Sequence, residues 1–234
     1  MKRLGAEVLK CVSAVVLVCV SAAVAQGQPA PDLRAHRLLL DGGVVWSGSY
    51  AIGDSTAQLR GNAAGTSPPP FTLFSSSSEV GSVTSVVARV GFTLTPRLVL
   101  EGGAAFGTPR VPVAMSRDPE ASPQRLAGEQ LKQYLFDAAV VWHLPMRWGV
   151  RVRPFVIGGV GYLRQLHEER TLAETGQVYY GGLGVRHWLR GGSGVARAFG
   201  LRGDVRANVR LGGIDFDDKN RVFPTLSVHL FVSL

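Results

Sequence analysis

Between Arg197 and Leu211 the polar residues Arg202, Asp204, Arg206, Asn208 and Arg210 alternate with Leu201, Gly203, Val205, Ala207, Val209 and Leu211. A repeat of two residues places the two sets on opposite faces of a β-strand, one charged and one apolar. The end of the chain repeats the pattern, with Pro224, Leu226, Val228, Leu230, Val232 and Leu234 set against Thr225, Ser227, His229, Phe231 and Ser233. The same template predicts strands over Leu40 to Ile52, Ser82 to Leu94, Leu98 to Phe106, Tyr134 to Leu144, Val150 to Tyr162 and, least regularly, Val178 to Leu189. Eight strands result.

The connections alternate in length. Gly53 to Glu79, Pro109 to Gln133, Arg164 to Gln177 and Gly212 to Arg221 are long, whereas Thr95-Pro96-Arg97, Pro145-Met146-Arg147 and Arg190 to Ala196 are short. An up-and-down meander with its long loops at one end and its tight turns at the other has this rhythm, and transmembrane β-barrels follow it. The expected fold is therefore all-β, an eight-stranded antiparallel up-and-down transmembrane barrel over residues 38–234. Pro68-Pro69-Pro70 and Ser75 to Ser78 read as a flexible low-complexity stretch within the first loop.

The N-terminus has a different character. Lys2, Arg3 and Lys10 precede the uncharged run Cys11 to Ala25, which ends in Ala23-Val24-Ala25. A basic n-region, a short apolar core and an A-x-A site describe an export signal over residues 1–25, followed by a short segment over 26–37. The run is too short for a membrane helix. Both cysteines lie inside it, so cysteine chemistry and disulfides are excluded from the exported chain.

Composition agrees with an unusual surface. Charged residues make up 18% of the chain, below the roughly 25% of soluble globular proteins. The +8 net charge falls to +6 once Lys2, Arg3, Lys10 and Glu7 are removed. The excess arginine lies on strand faces, not in a basic stripe interleaved with aromatic residues, so nucleic acid is not an expected partner.

The segments RPFVIGGVGY (Arg153 to Tyr162), GLGVRHWL (Gly182 to Leu189), GLRGDVR (Gly200 to Arg206) and FPTLSVHLFVSL (Phe223 to Leu234) resemble the OmpA-like family of eight-stranded outer-membrane barrels. The resemblance covers the whole exported chain, by pattern more than by identity. It implies a bacterial outer-membrane location and assembly by the barrel-assembly machinery, which reads the last strand. The positions implied here are Leu226, Val228, Leu230, Val232 and Leu234. The family usually ends in an aromatic residue, and this chain ends in Leu234.

Alternation does not say whether the apolar face looks outward into lipid or inward into a soluble barrel. Aromatic residues near the strand ends (Tyr50, Phe106, Tyr134, Trp142, Tyr162, Tyr179), arginine-rich polar faces almost without lysine, and glycine within strands all favour lipid outside. The lumen would then collect Asp41, Glu101, Asp137 and Asp204 with Arg89, Arg151, Arg153, Arg186, Arg202, Arg206 and Arg210. Buried carboxylates require partners, and the planar guanidinium supplies paired donors. A barrel of eight strands is just wide enough for its own side chains to fill. A plugged lumen is expected.

No catalytic, cofactor or metal constellation emerges. Gly191-Gly192-Ser193-Gly194-Val195 lacks the last glycine of a nucleophile elbow, and His167-Glu168-Glu169-Arg170-Thr171 lacks the second histidine of a zinc helix. Asp215, Asp217 and Asp218 read as a solvated acidic loop, and His143, His187 and His229 as polar or girdle histidines. The expected function is a non-enzymatic outer-membrane barrel with a structural or surface-interaction role, with outer-membrane lipid around it and a possible extracellular ligand at Asp54 to Glu79, Pro109 to Glu129, Arg164 to Gly176 and Gly212 to Arg221. The alternatives are a lipid-modifying outer-membrane enzyme and a soluble exported barrel with a small apolar ligand.

Overall fold

The computed structural model describes residues 37–59, 71–116, 124–145, 151–167, 172–191, 198–214 and 219–234. The expected signal segment 1–25, residues 26–36, Pro68-Pro69-Pro70 and the Asp215, Asp217 and Asp218 loop lie outside them.

Eight strands close into an antiparallel barrel. They are β1 (Leu38–Ser47), β4 (Val83–Thr93), β5 (Leu98–Gly107), β8 (Lys132–His143), β9 (Val152–Leu166), β10 (Ala173–Gly191), β11 (Ala198–Gly212) and β12 (Arg221–Ser233). Each pairs with the next, and β12 returns to β1, with Leu40 opposite Val232 and Val44 opposite Val228. The other side of β1 pairs with β4, where Asp41 faces Arg89. Closure leaves no barrel strand with an open edge. The cause is visible in β4: along Val83–Thr93 burial alternates residue by residue, so a single repeat of two sorts Ser85, Val87, Arg89 and Thr93 inward and Val86, Val90 and Phe92 outward.

Two expectations about the connections are corrected. Within the first and second long connections lie β2 (Tyr50–Leu59), β3 (Phe71–Val80), β6 (Arg110–Ser116) and β7 (Gln124–Gln130), a second four-stranded sheet in the order β2-β3-β6-β7. Ser75 to Ser78, expected to be a flexible tract, form the seam between the two hairpins and pair with Ser116 to Val113. Alternation could not reveal this sheet, because alternation reports a buried face. Most of its side chains are half-buried or exposed, and backbone pairing holds it. The hairpins prolong the β1, β4, β5 and β8 side of the wall beyond the barrel rim. The third connection also shortens, since Leu166 on β9 still pairs with Ala173 on β10.

The first predicted strand breaks at Gly48-Ser49, where the chain passes from β1 to β2. Tyr50 was expected in the outward girdle. It instead turns toward the barrel mouth, accepting a 2.8 Å hydrogen bond from Arg210 Nη1 and packing against Phe223 at 4.9 Å between ring centroids.

Candidate functional site

The inward positions of β1, β4, β5, β8, β10 and β11 meet in an ionic belt across the middle of the lumen. Arg202, Asp204 and Arg206 alternate along β11 and so share its inner face. Arg202 Nη1 lies 2.8 Å from Asp41 Oδ2 and 2.8 Å from both Glu101 oxygens, while its Nε donates to Asp204 Oδ2 at 3.1 Å. Arg186 Nη2 donates to Glu101 Oε1 at 2.5 Å and stands 3.6 Å from Asp41. Arg206 Nε donates to the other oxygen of Asp204, and Arg89 Nη2 donates to Asp137 Oδ2 at 2.7 Å. Tyr180 completes that corner with a hydroxyl 2.5 Å from Asp137 Oδ2. Four carboxylates and four guanidinium groups are thus interlocked, almost wholly out of water.

Inward glycines make the room. A Cβ on Gly103 would lie 3.0 Å from Cγ of Arg89, and one on Gly159 would lie 2.6 Å from the Tyr180 hydroxyl. Aromatic rings carry the arginine planes: Arg202 sits 4.9 Å from the Phe155 ring centre, Arg206 4.9 Å from Tyr180 and Arg186 5.5 Å from Phe231. Cation–π contacts are strongest where water is excluded.

The belt lies between other layers. On the short-turn side Leu39, Val99, Val141, Phe155, Trp188 and Phe231 fill the barrel, with Trp188 set edge-on to Phe231 at 4.6 Å. A register shift between Trp188 and Arg190 accompanies the consecutive burial of Arg186, His187 and Trp188 in the least regular predicted strand. On the hairpin side a cavity of about 50 Å³ is bordered by Arg89, Arg206, Tyr180, Asn208 and Gln133, enough for a few waters. Above it Arg210 reaches Tyr50 and the carbonyl of Ile214. Gly212 and Gly213, both at positive φ (72° and 84°), turn the chain so that Ile214 folds back over the mouth, with Ile52, Val80 and Leu131 around it. Left-handed backbone of this kind is natural to glycine.

Of the eleven residues expected in a lumenal network, Asp41, Arg89, Glu101, Asp137, Arg186, Arg202, Asp204 and Arg206 form it. Arg210 is buried one layer higher, on neutral partners. Arg153 is buried opposite Arg186 in register. Arg151 immediately precedes β9 and donates to the Leu189 carbonyl at 3.2 Å, outside the belt. Tyr180 was missed, although its place on the same face as Arg186 follows from the repeat of two. The strand histidines are not girdle residues. His143 is buried, 3.4 Å from Arg186 Nη1, and His229 is buried on the inner face of β12.

The outer face is the complement of the lumen. Val86, Leu183, Leu230, Val222, Phe136 and Val160 are each more than half exposed, beside outward Leu40, Val90, Leu100, Val140, Val205 and Val228. Leu226, Val228, Leu230, Val232 and Leu234 share this side of β12 or its end. Phe106 and Tyr134 touch at 5.1 Å, with Tyr162 and Tyr179 exposed on the neighbouring strands, near the hairpin end, while Trp142 is exposed near the other.

Fold and site together define a closed eight-stranded barrel with an apolar exterior and an ionic core. No protein-family model and no curated protein matches the chain. Among solved structures it is similar to the outer membrane protein OprG from Pseudomonas aeruginosa, at 14% identity, with 86% of this chain and 97% of that chain covered and a TM-score of 0.46. It is also similar to the outer membrane protein AlkL solved in lipid bilayers, at 15% identity, with 89% and 96% covered and a TM-score of 0.44.

Proposed function

We propose that this chain is a bacterial outer-membrane barrel with a non-enzymatic, structural or surface-interaction role, holding a filled lumen and presenting its paired hairpins outside the cell. One observation carries the reading: the side chains that ordinarily face water are inside, and leucine, valine and phenylalanine are outside. Exposed apolar patches on soluble monomers rarely exceed a few hundred Å², whereas here the apolar band encircles the barrel. In hydrocarbon every backbone polar group must be paired, which a closed barrel achieves. The longer connections of such barrels face outward from the cell and the tight turns face the periplasm, which orients the β2-β3-β6-β7 sheet toward the exterior.

Fractionation of cells expressing the full chain tests this. The protein should sediment with outer membranes, require detergent for extraction, and migrate differently on gels before and after boiling. Recovery in the soluble periplasmic fraction would overturn the membrane reading.

A further inference from the structure

At the hairpin end of the barrel, Lys132 on β8 and Arg164 on β9 are the only Asp, Glu, Lys or Arg side chains on the outer face among the residues whose burial is described. Their orientation follows from register: Leu131, Gln133 and Leu135 point inward, as do Leu163 and Gln165, so Lys132 and Arg164 point out. Tyr134 pairs with Arg164 and Lys132 with Leu166, which makes the two cations diagonal neighbours at about 7–8 Å between Cα atoms. Arg110 continues the line. It is exposed, follows outward Phe106 and Thr108, and pairs with Gln130, two residues before Lys132. All three basic residues sit at the hairpin end, beside half-buried Tyr134 and exposed Phe106, Tyr162 and Tyr179. Among the described residues none of the three takes part in an ion pair, although Asp137 on β8, Glu129 on β7 and Glu174 on β10 do.

We infer that Arg110, Lys132 and Arg164 form a docking stair for the phosphorylated headgroup of an outer-leaflet glycolipid, whose acyl chains lie along the apolar wall of β5, β8 and β9. This rests on the membrane reading above and names a lipid partner for it. Charge complementarity selects the ligand. Solitary cations on an otherwise neutral wall, at the level where interfacial aromatics sit, meet the lipid headgroup layer first. A guanidinium matches a phosphate with two parallel donors, and an ammonium adds a point charge. Among the described residues of β11 and β12, no outward cation stands at this level on the opposite wall, where Val209, Leu211, Val222 and Pro224 face out. The lipid is therefore held on one side of the barrel.

The test uses the full chain refolded into phosphatidylcholine nanodiscs containing diphosphorylated lipid A, its dephosphorylated form, or phosphatidylglycerol, with retained lipid counted by native mass spectrometry. Diphosphorylated lipid A should be retained preferentially. Lys132→Gln with Arg164→Gln should weaken retention about 25-fold, at about fivefold per cation near a charged surface. Arg97→Gln, on the tight turn at the other rim, should leave it unchanged. Equal retention of the dephosphorylated lipid or of phosphatidylglycerol, or a double variant that retains lipid A as wild type does, would overturn the inference. Heat-modifiable migration of the same samples shows whether each variant has folded. A wild-type chain that never enters the disc refutes the membrane reading instead, so the two failures are separable.

Discussion

Glu101 is the residue on which the ionic belt turns. Both its oxygens receive Arg202 and one receives Arg186, so its loss leaves two buried guanidinium groups sharing Asp41. Breaking one partner of a buried pair costs about 3–5 kcal/mol, because the stranded charge stays desolvated. Glu101→Gln keeps the volume and removes the charge, and should lower the urea midpoint of the barrel in lipid vesicles by an amount that corresponds to that loss of unfolding free energy. Asp54→Asn, on an exposed position of β2, should leave the midpoint within error. A second residue tests the packing around the belt. A side chain at Gly159 would meet the Ala138 carbonyl oxygen as well as the Tyr180 hydroxyl, so Gly159→Val should strain the β8–β9 pairing, push Tyr180 away from Asp137 and destabilise the barrel although no charge has been touched. An unchanged midpoint for that variant would refute the packing account.

The strands that sequence reveals are those with one buried and one lipid-suited face. Arg202, Asp204 and Arg206 announce the inner side of β11 because lipid admits no charge on the other side. The belt was legible for the same reason, down to eight of its members. β3 was not legible: Ser75 to Ser78 bury no face, and their structure comes from pairing with β6, which no local pattern encodes. Tyr50 was misplaced because the break at Gly48-Ser49 resets the alternation, and Arg151 because it immediately precedes β9. Two predictions belong to this scale. Cysteine pairs at Ser76/Met115 and at Ser77/Ala114, which are register partners, should crosslink in at least one case on oxidation, joining the hairpins in a non-reducing gel after cleavage between them. If neither pair crosslinks, the seam is not formed. Deleting Leu230 to Leu234 removes the partners of Leu39 to Gly42 on β1 and of Ala198 to Leu201 on β11. Two strand edges are then left open, and the shortened chain should fail to reach the outer membrane or to show heat-modifiable migration. Normal insertion would contradict the closure of β12 onto β1.

For the whole molecule the question is whether the barrel is a passage. Its layers act in series along the axis. The apolar floor excludes ions because its Phe155, Trp188 and Phe231 rings offer nothing to replace a hydration shell, and the belt above fills the cross-section with side chains already bonded to one another. The small cavity near the mouth ends on that belt, and Tyr50, which lines it, packs against the cluster of Ile52, Val80, Leu131 and Ile214. A path for ions therefore requires more than one layer to fail. The wild-type protein in planar bilayers should give no large, steady single-channel currents. Phe155→Ala with Phe231→Ala opens the floor but leaves Arg186, Arg202, Glu101 and Asp41 in place, and should remain nearly silent. Adding Glu101→Ala strands the arginines beside a water-accessible floor, and conductance should then appear, with selectivity for anions because the remaining belt carries net positive charge. Steady currents from the wild type would mean that the belt opens on its own, and silence in the triple variant, provided it folds and inserts, would place the barrier in the cap above the cavity.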